Sequence, residues 1–421
     1  MVDKENVGRA IAEQRKIKGM TQKNLADLLH VSYQAVSRWE QGISLPSVDM
    51  VYDIAKTLET TVDFLLNGLS EKRRVIDYMD TGLDTHRLYM TKERLDNLIT
   101  KEDFLLHATY IDPVFMKPAI LGMEEPVCVF ANHVPGSKER FAMENGYDRE
   151  ICIDLVSCAA NNMVRYGVKP SVLHANMVCG NNDGGQILTM GEAFKEACED
   201  NGIAFAGMEV SAQAVNYHPG EYQLKAMVMG YVDRKKIITG EQMEEGDILI
   251  GLHTDGIAAV SYPFIKVILD RIPNILYTDI GGNQLFADKL MEPAACYANV
   301  VSELHQQNLL HGVFNISNSR SLFSRGRFYS IPRGLGAGIT LSSIPIPPLF
   351  RFLYDLNMMD RECFFENFNL GVGMVLAVPR AQYEMAAGII ERYHKCTVIG
   401  KIDRDDEHPD TKVWIEGALP W

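Results

Sequence analysis

The chain contains no apolar run that reaches the roughly 18 to 20 residues needed to span a bilayer. Its opening stretch, MVDKENVGRAIAEQRK, also lacks the uninterrupted apolar segment of a secretory leader. A cytoplasmic protein with no membrane partner is therefore expected. Cysteine is sparse and scattered: eight residues, Cys128, Cys152, Cys158, Cys179, Cys198, Cys296, Cys363 and Cys396, form no CxxC pair and no Cys/His cluster at zinc-site spacing. That pattern predicts reduced thiols and argues against a disulfide framework or a structural metal. Positive charge is in deficit as well, with 41 Lys and Arg against 55 Asp and Glu and a net charge of −14. An acidic surface repels a polyanion unless basic residues are gathered locally.

Local gathering is present. Residues 1–70 are nearly balanced and hold Arg15, Lys16, Lys18 and Lys23, whereas most of the excess acid lies after residue 90. A length of 421 residues with 47 % hydrophobic content is more than one core usually organises, so two or more domains are expected.

Between Val7 and Gly68 the apolar spacing predicts about five short helices, each closed by a turn signal. Ile11, Arg15 and Ile17 lie in the first, which Gly19 closes; Thr21 is placed to cap a second carrying Leu25, Leu28 and Leu29; Ser32 is placed to cap a third, SYQAVSRWEQG. Two short helices joined at His30-Val31-Ser32 make a helix-turn-helix. The stretch GMTQKNLADLLHVSYQAVSRWEQGISLPS resembles the phage-repressor (Cro and lambda repressor, Xre-like) family over about 65 residues. In that resemblance Arg15 and Glu40 form a structural ion pair, and Leu25, Ala26, Leu29, Val36, Trp39, Ile54, Leu58 and Leu65 are core. Tyr33, Gln34, Ser37 and Arg38 share the exposed face at the start of the third helix, the part that enters the major groove. Gln pairs bidentately with adenine and Arg with guanine. Gln22, Lys23 and Lys18 are better placed for phosphates, which set register without reading sequence.

Residues 71–120, with the charged run Ser70-Glu71-Lys72-Arg73-Arg74 at their start, read as a helical connector. From Pro126 strand-like runs (VCVFA, SVLHANMV, IAFAGMEV, QLKAMVMGYV, DILIGL, VGMVLAVP) alternate with helical ones (DLVSCAANNMVRYG, MGEAFKEACEDNG, YPFIKVILDRI, AQYEMAAGIIERYH), which predicts an α+β or α/β domain. The segments CIDLVSCAANNMVRYGVKP, FAGMEVSA, EYQLKAMVMGYVDRKKIITGEQMEEGDILIGL, FADKLMEPA, SIPIPPLFRFL, NFNLGVGMVLAVP and VIGKI resemble aminoimidazole ribonucleotide synthetase, the cyclo-ligase of purine biosynthesis. The resemblance implies a two-part α+β fold, here 121–235 and 236–421. It also implies a dimer built on a β-barrel shared by the first halves, and clefts for nucleotide and substrate.

The same resemblance exposes departures. The family's Thr-Asp-Gly-Val-Gly-Thr-Lys appears as Asn132-His133-Val134-Pro135-Gly136-Ser137-Lys138, and its Asn-Asp pair as Asn161-Asn162, although Asp154 persists. Of two acids in Gly-Gly-Glu-Thr-Ala-Glu, Glu209 remains and the other is Ala212; His-Ser-Asn-Gly has become Ala258-Ala259-Val260-Ser261. Magnesium prefers carboxylate ligands, and phosphoryl transfer relies on it to neutralise developing charge. These losses predict a body that no longer catalyses, with no required cofactor. A cradle remains to hold a phosphorylated purine-pathway metabolite or nucleotide: Ser137, Lys138, Asn161, Asn162 and Glu209, with Ser324, Arg325 and Arg327 replacing a backbone phosphate loop by guanidinium groups.

The expectation is thus a homodimeric regulator of the helix-turn-helix class that binds a palindromic double-stranded operator and senses a small ligand through a non-catalytic synthetase-like domain. An active ATP-dependent enzyme with an autoregulatory head, and a ligand-free dimerising scaffold, stay open as alternatives.

Overall fold

The computed structural model describes residues 3–67, 85–102, 105–107, 114–118, 120, 122–316, 322, 328–409 and 412–419. Contacts divide the chain into two compact units, Met1–Asp80 and Thr81–Trp421.

The first unit is all helical: α1 (Lys4–Ile17), α2 (Gln22–Leu28), α3 (Tyr33–Glu40), α4 (Val48–Thr57) and α5 (Val62–Asn67). The caps read from the sequence are formed. The Thr21 hydroxyl accepts from Asn24 N and the Ser32 hydroxyl from Ala35 N, so each short helix begins with an orphan donor satisfied. Ile11, Leu25, Val36, Ile54, Leu58 and Leu65 fill one buried core. Helices α1 and α3 touch backbone to backbone at Gly8, where a Cβ would lie 2.2 Å from the Trp39 carbonyl oxygen. No larger residue fits there without separating the recognition helix from α1.

The second unit begins with α6 (Thr85–Asp96), β1 (Leu105–His107) and β2 (Phe115–Met116). This part of the stretch read as a connector is built into the body. Leu95 is buried against Gly191, and Thr100 N donates to the Phe205 carbonyl while Phe205 N donates to the Thr100 hydroxyl, 2.9 Å each. Next come β3 (Pro126–His133), α7 (Ser137–Asn145), α8 (Asp148–Val164), β4 (Lys169–Cys179), α9 (Gly184–Asp200), β5 (Ala204–Ala212) and β6 (Tyr222–Asp233). They form a four-stranded sheet in the order β3-β6-β4-β5, antiparallel except for the β4–α9–β5 crossover. Leu173, Ala175, Met177, Leu224, Ala226 and Val228 bury one face in the same core as α8 and α9. The other face carries Phe130, 68 % exposed, and Met227, 43 % exposed, and is only partly covered by Leu105, Val114 and Met116 near Val172.

The remainder comprises β7 (Ile248–His253), α10 (Tyr262–Arg271), α11 (Phe286–Met291), α12 (Ala298–Gln306), β8 (Gly312–Asn315), β9 (Leu335–Thr340), α13 (Pro348–Asp355), α14 (Arg361–Asn367), β10 (Val372–Val378), α15 (Tyr383–Ile390), β11 (Cys396–Arg404) and β12 (Val413–Glu416). Its sheet runs β12-β9-β11-β7-β10-β8, with every residue of β10 buried. Strands β9 and β12 were not apparent from hydropathy. In β9, Gly336 and Gly338 stand where alternation would call for side chains, because the Trp414 ring occupies that space; a Cβ at Gly338 would lie 2.8 Å from it. A single apolar core joins the two halves of this unit.

Candidate functional site

In the head the recognition helix is fixed by one carboxylate. Arg15 Nε and Nη2 donate to Glu40 Oε1 and Oε2 at 2.5 and 2.9 Å, and Arg15 Nη1 donates to the Met20 carbonyl at 2.5 Å. Gln22 Nε2 donates to Glu40 Oε2 at 2.7 Å. Glu40 therefore ties α1, the turn after it and α2 to the end of α3. The sequence showed the Arg15–Glu40 pair; it did not show Gln22 in it. The Gln22 amide is engaged inward and Lys18 pairs with Glu59, so two of the three residues expected on phosphates already hold protein partners. Lys23 is exposed. Val36 and Trp39 turn inward, leaving Tyr33, Gln34 and Arg38 exposed along α3; Ser37 is half-buried and its hydroxyl accepts from Gln41 Nε2 at 3.3 Å.

In the body the expected ligand residues fall in different places. Ser137 is exposed at the start of α7, which the chain enters through Gly136 at φ 64° and ψ −145°, a conformation that favours glycine. Lys138, the next residue, is completely buried; its Nζ donates to Asp154 Oδ1 at 2.7 Å and to the Glu292 carbonyl at 3.1 Å. Ala294 N donates to the same Asp154 oxygen at 2.9 Å. Two turns further along α8, Asn161 Nδ2 donates to the Ala295 carbonyl and its Oδ1 accepts from Tyr297 N, both at 2.8 Å. Asn162 Oδ1 accepts from Asn315 Nδ2 at 3.0 Å.

Asp154, Asn161 and Asn162 thus form a polar stripe on α8 that clasps the segment from Glu292 to Tyr297 and the end of β8. Lys138, Asn161 and Asn162 have these protein partners because a buried ammonium or amide needs them in a low-dielectric seam. Lys138, Asn161 and Asn162, expected in a ligand cradle, are thus placed with protein partners. The residues that receive these bonds carry backbone groups, which explains why side-chain motifs did not reveal them.

Glu209 lies elsewhere. It is exposed on β5, where its Oε2 accepts from Asn176 Nδ2 at 3.0 Å, on the sheet face opposite α8. Ser324, Arg325 and Arg327 lie outside the described residues. The magnesium that the resemblance implies does not fit the described side chains at these positions, since two are amides bonded to backbone or to Asn315 and the Asp154 carboxylate is neutralised by Lys138.

Ser137 borders a cavity of about 390 Å³ between α7 and α10, with Phe141, Tyr262, Pro263, Ile265 and Leu269 as its apolar lining and Arg140 and Lys266 also on its wall. Beneath it, burial pushes the Glu139 carboxyl up to about 7, opposed by a hydrogen bond from Leu224 N. The His133 imidazole is pushed down by burial, with Asp154 acting in the opposite sense. The thiols of Cys152, Cys158 and Cys198 are pushed well up by complete burial, which makes them poor nucleophiles.

Residues 11–65 match the family described as Helix-turn-helix. The body is similar to phosphoribosylformylglycinamidine cyclo-ligase of Oceanobacillus iheyensis, 28 % identical over 333 residues, covering 78 % of this chain and 97 % of that protein. Its similarity to the cyclo-ligase of Bacillus thuringiensis is 31 % over 264 residues, covering 61 % of this chain and 74 % of that protein. A crystal structure titled hydrogenase maturation protein HypE in complex with ATP superposes with a TM-score of 0.54 at 13 % identity, covering 79 % of this chain and 91 % of that one.

These findings establish a helix-turn-helix DNA-binding module fused to a two-part α+β body of the synthetase fold. They also overturn one expectation. Identity of 28 % and 31 % over most of the chain to proteins named for a ligase activity argues against the non-catalytic body that the motif departures predicted.

Proposed function

Because the chain belongs to the phosphoribosylformylglycinamidine cyclo-ligase family, we propose that it is a transcriptional regulator with an enzymatic body, in which the head binds operator DNA and the body takes a phosphorylated purine-pathway substrate together with ATP. The observation that carries the regulatory part is the exposed face of α3. Tyr33, Gln34 and Arg38 face outward on a helix whose direction is fixed by Glu40, which is what reading base edges requires. The cyclo-ligase relatives and the fold shared with an ATP-bound protein support the body's assignment. The cavity beside Ser137 offers an apolar lining for part of a substrate, and the Arg140 and Lys266 on its wall pair with Glu144, Glu221 and Asp270.

A homodimer completes the reading. Phe130, Met227, Met229 and Tyr231 lie together on the open face of the four-stranded sheet, with Phe130 opposite Met229 in register, and a second copy is the occupant we assign to it. Two heads then meet a palindromic operator, with half-sites about 34–36 Å apart or a multiple of that.

The test has two arms. Fluorescence anisotropy with the full chain and its own upstream DNA reads the head, and release of ADP from magnesium-ATP in the presence of phosphoribosylformylglycinamidine reads the body. Sequence-specific binding with sustained turnover is expected. Binding no tighter to upstream DNA than to random duplex overturns the regulator, and absence of turnover overturns the enzymatic body.

A further inference from the structure

We infer that Glu244, Asp247 and His311 form a binding site for a divalent transition-metal cation. The three residues are far apart in sequence and are brought together by the six-stranded sheet. Strands β7 and β8 both pair antiparallel with β10, so they run parallel and start at the same end of the sheet. Ile248 lies opposite Val378 and Gly312 opposite Ala377. Asp247 immediately precedes β7 and His311 immediately precedes β8, and each is pinned by its backbone: Ile402 N donates to the Asp247 carbonyl at 2.8 Å and His311 N donates to the Ala377 carbonyl at 2.9 Å.

The side chains converge. His311 Nδ1 lies 2.8 Å from Asp247 Oδ2, and one ligand atom from each of the three residues lies within 4.8 Å of the others. A zinc-class ion takes nitrogen and oxygen ligands at about 2.0–2.2 Å, so atoms sharing it lie at most about 4.2–4.4 Å apart. Asp247 Oδ2 and His311 Nδ1 fall inside that limit at hydrogen-bond distance, and an ion held by both takes the place of the proton they share. Glu244 is exposed, so its carboxylate has space to adjust to an ion.

Charge favours a cation there. Asp247 is 1 % exposed, and His311 is its one side-chain ion-pair partner among the described residues. The nearby Arg404 is committed to Glu245 at 2.8 Å. The cluster carries two carboxylates, one of them buried, and a bound dication offsets their charge. Glu244 N donates to Asp247 Oδ2 at 3.1 Å, which orients the carboxylate before any ion arrives. One imidazole with two carboxylates suits zinc, manganese or cobalt better than calcium or magnesium, which prefer oxygen alone. His311 also borders a cavity of about 470 Å³ that His305 and Lys236 share, leaving room for water to complete the coordination.

The experiment titrates the chelator-stripped full chain with zinc chloride against a chromophoric competitor. One zinc equivalent per chain is expected, with affinity reduced at least about 10-fold in both His311→Ala and Glu244→Gln and unchanged in Cys128→Ser. Circular dichroism of the stripped variants checks the fold, and the exposed Glu244→Gln change carries the test should His311→Ala fail to fold. Absence of a competing zinc equivalent in the wild type overturns the site, as does unchanged affinity in Glu244→Gln or loss of the zinc in Cys128→Ser.

Discussion

Lys138 Nζ lies 2.7 Å from Asp154 Oδ1 in a seam where neither side chain is more than 4 % exposed, so the ammonium of α7 and the carboxylate of α8 neutralise each other out of reach of water. Because Glu292 and Ala294 bond to the same pair, the ion pair also joins the two halves of the body. Replacing Lys138 with Met leaves a buried carboxylate without its cation, and a loss of about 3–5 kcal/mol in unfolding free energy is expected by urea denaturation. The double change Lys138→Met, Asp154→Leu removes both charges and is expected to recover a large part of that loss. A single variant within about 1 kcal/mol of wild type contradicts the assignment.

On α2 and α3 the expected effects separate by chemistry. Gln34→Ala removes a base-edge contact, so discrimination between operator and mismatched duplex falls by about 1–3 kcal/mol. Lys23→Ala weakens binding to all duplexes alike and reduces the salt slope by about 1, as loss of one phosphate contact does. Anisotropy titrations at several salt concentrations distinguish them. A Gln34→Ala protein with undiminished preference removes that residue from base reading.

How much of this was legible in sequence depends on what kind of group does the work. The head was legible because its caps, turn and core repeat at fixed spacing: Thr21, Ser32 and the Arg15–Glu40 pair stand where the pattern put them. The body's apolar runs announced alternating strands and helices, and the resemblance to the cyclo-ligase family supplied the two-part α+β fold. Its candidate site was not. The α8 stripe bonds mostly to backbone between Glu292 and Tyr297, and backbone groups leave no residue signature. Asn161 and Asn162, which stand where the resembling family has an Asn-Asp pair, bridge two segments of the fold through their amides. Nor does spacing along the chain show that Asp247 and His311 meet, since β10 has to bring their strands into register.

The open sheet face yields a prediction about assembly. Phe130→Glu places a charge among Met227, Met229 and Tyr231, and burying an unpaired carboxylate in an interface costs several kcal/mol. Sedimentation velocity is expected to show a dimer for wild type and a monomer for Phe130→Glu, with the monomer's circular dichroism unchanged because Phe130 is exposed within one chain. A variant that sediments as a dimer moves the interface to another surface.

Glu139 supplies a pH dependence whose sign can be worked out. Burial raises its carboxyl to about 7 in the folded chain, against an ordinary value of 4.5. Above pH 7 both folded and unfolded forms are ionised, and the folded state bears the cost of a desolvated carboxylate. As pH falls from 7 towards 4.5 the folded state takes up a proton that the unfolded state does not, so this residue adds stability across that window and removes it as pH rises. The full difference amounts to about 3 kcal/mol at most, with water access to the half-buried group lowering it. Glu139→Gln keeps an oxygen to accept from Leu224 N and lacks the charge. The variant is therefore expected to exceed wild type by about 1–3 kcal/mol at pH 8 and to match it near pH 5 in paired urea titrations. Equal stability of the two proteins at pH 8 would show that the Glu139 carboxylate is well solvated in the folded chain.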